Sequence, residues 1–122
     1  MPLFMEQRQQ PRLRVRFRSS FRSANLVSGE GEVIDLSIRG GGIVSATVVL
    51  PGTTLELQIH ESAQASPLTV AQAVVRWCHH GRFGLEFVSL QPGEWARLQS
   101  IVTALERHPY EQNQSSQDRA AI

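Results

Sequence analysis

From Leu13 to Arg18 apolar residues alternate strictly with arginines, in the order Leu13-Arg14-Val15-Arg16-Phe17-Arg18. Successive side chains of an extended strand point to opposite faces, so this run satisfies its residues as a strand with one face in a core and the other in water. A helix would scatter the same arginines around its circumference. The constraint extends to the rest of the chain, because such a strand needs partners that also bury one face, which is the pattern of antiparallel barrels and sandwiches.

The sequence supplies those partners. Ser28-Gly29-Glu30-Gly31 offers turn residues that would return the chain into a strand over Glu32 to Leu36, antiparallel to the first. Gly40-Gly41-Gly42 interrupts the pattern, Ile43 and Val44 resume it with the apolar residues up to Leu50, and Pro51-Gly52 marks the next turn. Leu55, Leu57 and Ile59 alternate with polar residues in a further strand, and the small, polar stretch from His60 to Pro67 reads as a surface loop. The apolar stretch Leu68 to Trp77, a turn at His79-His80-Gly81 and the alternation of Phe83, Leu85 and Phe87 make a closing hairpin. After it Pro92 suits a first helical position, and Trp95, Leu98, Ile101, Val102 and Leu105 recur at three- and four-residue steps. One amphipathic helix is expected, covering an end or face of the barrel and stopping at His108-Pro109.

At 122 residues, 41% of them hydrophobic, the chain suits a single core, and the expected organisation is one domain over 8–107 with a flexible arm over 1–7. The tail over 108–122 is rich in Gln, Ser and Asn and is expected to be disordered. The single cysteine, Cys78, excludes a disulfide framework and agrees with a reducing compartment. No apolar run approaches the roughly 20 residues of a membrane span and the N-terminus lacks a signal-peptide core, so a cytoplasmic location is expected.

Net charge is only +1, yet all basic side chains are arginine, and Arg8, Arg12, Arg14, Arg16, Arg18 and Arg22 crowd the first stretch with only Glu6 opposing them. Such a cluster calls for an anionic partner unless it is a solvated strand face. Spacing narrows the choice. Arg8-Gln9-Gln10-Pro11-Arg12 sets two guanidinium groups four residues apart, roughly 13 Å in extended chain at about 3.3 Å per residue, and on one side. The planar fork of arginine pairs bidentately with phosphate or with the O6 and N7 edge of guanine, and its face stacks on purines. Downstream, Asp35-Leu36-Ser37-Ile38-Arg39-Gly40 combines a carboxylate for the donor edge of guanine, a hydroxyl, and a glycine that lets backbone approach a flat ligand. Alone, Asp-x-Ser before glycines is an ordinary Asx- or Ser-stabilised turn.

Taken together, Arg8-x-x-x-Arg12 followed by a hairpin and Asp35-x-Ser37-x-x-Gly40 resembles the RxxxR and (D/N)xSxxG motifs of the PilZ domain family. Ala73 to Trp77, Gly81 to Phe87 and the closing helix are similar to the family as well, so the resemblance covers Glu6 to Leu105. It implies a mostly β fold, a six-stranded antiparallel barrel with a C-terminal helix packed against it, and a bacterial receptor for cyclic di-GMP. By that resemblance Arg8 and Arg12 contact guanine and phosphate, Asp35 and Ser37 hold a guanine and adjoining phosphate, and Gly40 permits close approach. The arm would order on binding and present a surface to a downstream protein of unknown identity. Many family members carry arginine just before the first motif arginine, and this chain has Gln7, which leans towards one bound ligand rather than a stacked pair.

Further candidates for contact are Gln7, Arg39, Gly41 and Trp77. Trp77 ends an apolar strand, where a core position is the ordinary reading and a base-stacking one the alternative. Arg14, Arg16 and Arg18 read as a solvated outer face. His79, His80 and Cys78 lack partners at metal-ligand spacing, and no nucleophile has an oriented base, so neither a metal, a cofactor nor an enzyme is expected. Two other readings remain open: an adaptor of the same fold acting by protein contact alone, and a small-barrel binder of single-stranded nucleic acid.

Overall fold

The computed structural model describes residues 12–107. Six strands, β1 (Leu13–Ser23), β2 (Ser28–Ser37), β3 (Gly40–Val44), β4 (Thr54–His60), β5 (Leu68–His79) and β6 (Arg82–Ser89), are followed by one helix, α1 (Pro92–Arg107). The strands close into a barrel in the order β1-β2-β3-β6-β5-β4, every pair antiparallel. Closure leaves no open sheet edge.

The arginine alternation does what its period requires. Val15, Phe17 and Phe21 are buried, Arg14, Arg16, Arg18 and Arg22 are exposed, and Arg16 and Arg22 pair with Glu32 and Glu56 on neighbouring strands at 2.9 and 2.8 Å. Inside, Phe21 meets Phe83 edge-on with ring centroids 5.3 Å apart, and Leu36, Leu55, Ile59, Val70 and Val75 are fully enclosed. Helix α1 adds Leu98, Ile101, Val102 and Leu105 to this core and is tied down by Glu94, which accepts from the Thr69 amide at 3.0 Å. It packs against β5 and β1. Among the described residues no helix is long and apolar enough to cross a membrane.

Three expectations for the connections need correction. The first hairpin reverses at Ala24–Val27, closed by the Ser23 amide donating to the Val27 carbonyl at 2.8 Å, and Ser28 to Gly31 already belong to β2. The glycines there are strand residues under crossing chain: a Cβ on Gly31 would lie 2.6 Å from the Val44 carbonyl oxygen and 2.7 Å from Ile43 Cγ2. The glycine triplet likewise does not interrupt a strand but begins β3. The apolar run beyond it leaves the sheet at Val44, because Ser45 turns away, its amide donating to the Gly81 carbonyl at 2.9 Å and its hydroxyl to the Glu30 carbonyl at 2.5 Å. The turn read at His79-His80-Gly81 narrows to His80 and Gly81, with φ of 50° and 77°, the doubly positive pair that suits a two-residue hairpin, while His79 is the last residue of β5.

Antiparallel order puts the start of β1, the β2–β3 turn, the β4–β5 loop and the entry to α1 at one end of the barrel. Arg12 and the Asp35–Gly40 segment therefore share an end.

Candidate functional site

Ile38 and Arg39 form a two-residue connection between Ser37 and Gly40, which are paired across it. Ser37 is buried and holds this turn from inside: its hydroxyl accepts from the Arg39 amide at 3.2 Å and donates to the Gly40 carbonyl at 3.3 Å. The Arg39 carbonyl in turn accepts from the Phe87 amide at 2.8 Å, fastening the turn to β6. Gly40 sits against that same strand, where a Cβ would run into the Leu85 carbonyl oxygen. Gly41 is similarly confined, 2.8 Å from the Asp35 carbonyl oxygen at its virtual Cβ. Ser37, Gly40 and Gly41 thus meet backbone, while the Arg39 side chain is exposed.

Asp35 differs from its motif partners because its side chain is open to solvent. Its Oδ1 accepts from Arg12 Nη1 at 3.0 Å across the β1–β2 ladder, with side chains 27% and 50% exposed. An ion pair this open contributes at most about 1 kcal/mol to stability, so its members remain available to other partners. The pair also stands at one side of a continuous row. Arg14 pairs with Asp35, Asp35 with Gly42, Gly42 with Gly84, and Gly84 with Trp77, one residue from each of β1, β2, β3, β6 and β5. At about 4.8 Å per strand, Asp35 and Trp77 are roughly 14 Å apart along the surface, with two glycines between them.

Trp77 is not in the core, contrary to the ordinary reading of an apolar strand end. It is 43% exposed on the outer wall. A register irregularity between Val75 and Trp77 is the cause: Val75 opposes Leu85 inside, and Trp77 opposes Gly84 outside. The indole lies down over Gly84, so close that an added Cβ would fall on Nε1 and Cε2, with Cζ2 at 2.9 Å. Across the row the Asp35 carboxylate covers Gly42 in the same manner, Oδ2 standing 2.8 Å from the virtual Cβ. Next to Trp77, Arg76 pairs with Glu86 at 2.6 Å, and Glu86 opposes Gly40.

The structure therefore brings Arg12, Asp35 and Trp77 onto one surface and places Ser37, Gly40 and Gly41 beneath it as the frame of its edge. Gln7 and Arg8 lie outside the described residues, as do the arm over 1–7 and the tail over 108–122. Sequence reasoning missed Gly42 and Gly84. The available signal was a glycine at an outward position of a strand, which marks a close approach by something else. Chemically the surface offers a cation, a carboxylate and an aromatic face, a set suited to a planar base carrying donors and an attached anion. Among the described residues no group of His, Cys, Asp or Glu is arranged to hold a metal ion.

The sequence matches the PilZ domain over residues 6–104, most of the chain. It belongs to the PilZ domain family. Among solved structures this PilZ domain is similar to YcgR in complex with c-di-GMP from Escherichia coli, with TM-score 0.71 and 19% identity over 90% of this chain and 50% of that one. The PilZ domain of the same protein with c-di-GMP gives TM-score 0.69 and 18% identity over 88% and 98%. The Bacillus subtilis inhibitor of motility gives 0.67 and 15% over 84% and 53%. The chain thus spans about half the length of the first and third of these structures. At such identities the likeness is one of fold. No curated protein matches the sequence significantly.

Proposed function

We propose that this PilZ domain is a binding module for cyclic di-GMP, held between the N-terminal arginines and the outer wall of β2, β3, β6 and β5. The carrying observation is the meeting of Arg12 and Asp35 at 3.0 Å on the rim of a glycine-floored row that ends in an exposed indole. In this reading Arg12, with Arg8 from the preceding arm, pairs with phosphate and guanine edges. Asp35 accepts from the N1 and N2 donors of guanine, and Trp77 offers a face for a base. Arg39, exposed at the turn, and Gln7 are further contacts, while Ser37, Gly40 and Gly41 keep the turn in shape for Asp35. Two of the similar structures hold c-di-GMP, which supports the choice of ligand.

Binding would order the arm over the barrel and so present a new surface to a downstream protein in the cytoplasm. A calorimetric titration with cyclic di-GMP, with GTP as control, tests the reading: saturable heat with the cyclic dinucleotide alone is expected, and no heat from either would reject it. One observation favours a second reading, an adaptor that keeps the fold without the nucleotide: Ser37 and Gly40 are already explained by the turn they build. That same absence of heat, with the fold intact, would favour it.

A further inference from the structure

Gly40, Gly41, Gly42 and Gly84 lie in β3 and β6, and they divide by what a side chain there would strike. At Gly40 and Gly41 an added Cβ meets backbone oxygen, of Leu85 and of Asp35. At Gly42 the three nearest atoms all belong to the Asp35 carboxylate, at 2.8, 3.3 and 3.4 Å, and at Gly84 all three belong to the Trp77 indole. The first two glycines let the strands come together. The second two face each other across β3 and β6 and leave a two-residue gap on the barrel wall, into which two side chains from the flanking strands lie down from opposite sides.

We infer that Gly42 and Gly84 are positioning residues that seat the Asp35 carboxylate and the Trp77 indole flat on one shelf, fixing edge recognition and base stacking in a common plane. This rests on the receptor reading above for its consequence in binding, although the seating itself is a property of the barrel. With a methyl at Gly84 the indole must swing up from the wall, and its face is lost as a platform. With a methyl at Gly42 the carboxylate is displaced from its place beside Arg12. Neither substitution strikes the backbone atoms that hold β3 to β6.

The test is a double-mutant cycle in the full chain, with Trp95→Phe as background so that Trp77 alone reports by fluorescence. Trp77→Ala, Gly84→Ala and their combination are titrated with cyclic di-GMP by calorimetry and melted by circular dichroism. Losing a base–aromatic stack lowers affinity by roughly 5- to 150-fold, and Gly84→Ala is expected to lose a comparable factor while shifting Trp77 emission to the red. In the Trp77→Ala background, Gly84→Ala is expected to cost no further affinity and to melt at the temperature of Trp77→Ala alone, since the ring it struck is gone. Gly42→Ala is expected to add no loss to Asp35→Ala in the same way. Factors that multiply in the combined variants, or Gly84→Ala with unchanged emission and affinity, would overturn the proposal. Should the unsubstituted protein bind no cyclic di-GMP, the receptor reading falls alone, because emission and the melting cycle still decide the seating.

Discussion

Ser37 and Gly40 are bonded to each other from the two sides of the β2–β3 turn, the hydroxyl of one donating to the carbonyl of the other at 3.3 Å. The motif Asp35-x-Ser37-x-x-Gly40 is therefore two devices in one stretch of chain. Its serine and glycine make a turn fastened to β6, and its aspartate, open to solvent, carries the polar chemistry of the surface. The two can be separated by substitution.

Ser37→Ala leaves the Arg39 amide and the Gly40 carbonyl without the buried hydroxyl between them, which costs about 1–3 kcal/mol. For a domain near this size that lowers the melting temperature by several degrees, on the order of 4–8 °C per kcal/mol. Arg39→Ala, altering only an exposed side chain, should melt with the native protein. Thermal denaturation of the two variants side by side checks this, and an unchanged midpoint for Ser37→Ala contradicts the role given to its hydroxyl.

Arg12→Ala and Asp35→Ala should behave in the opposite way. Their ion pair is half open to solvent, so stability changes by at most about 1 kcal/mol. Binding of cyclic di-GMP should weaken roughly 10- to 150-fold for Arg12→Ala, if its charge-assisted bonds contribute about 1.5–3 kcal/mol. Calorimetry giving native dissociation constants for both variants would remove them from the site.

A single ligand per chain is expected, since Gln7 stands where an additional arginine would help hold a stacked pair. Titration stoichiometry near two would refute this.

Leu26 adopts a φ of 70° at the tip of the β1–β2 connection, a conformation that costs a residue with a Cβ about 1–2 kcal/mol, and it is 93% exposed, so no burial compensates. Leu26→Gly should raise the unfolding free energy by up to about 1 kcal/mol after its own chain entropy is charged against it. Leu26→Val, branched at Cβ, should lower it. Chemical denaturation midpoints decide, and a stabilised valine variant would contradict the backbone argument.

Where one physical rule governed a stretch, the sequence was legible. The alternation of arginine and apolar residues in β1, the period of Leu55-Leu57-Ile59 and the helical steps from Trp95 to Leu105 each place their side chains as read. The Arg12–Asp35 ion pair was not legible, because it depends on where the hairpin reverses, and a turn at 28–31 would not have brought the two residues level. The failures share a different cause. Glycines were read as punctuation at 29–31 and 40–42, but these lie inside strands, selected by chain passing over them or by side chains lying on them, a long-range fact with no local mark. Trp77 went astray because alternation predicts a face only while register is unbroken.

That broken register couples the length of β5 to what the wall displays. The extra residue is Arg76, and it sets two consecutive side chains, Arg76 and Trp77, on the outer face; deleting it would restore regular pairing and keep the indole opposite Gly84, but would remove the arginine that pairs with Glu86 beside it. One extra residue in the strand thus lets the wall carry a cation and an aromatic plate side by side, where regular pairing leaves room for a single outward side chain.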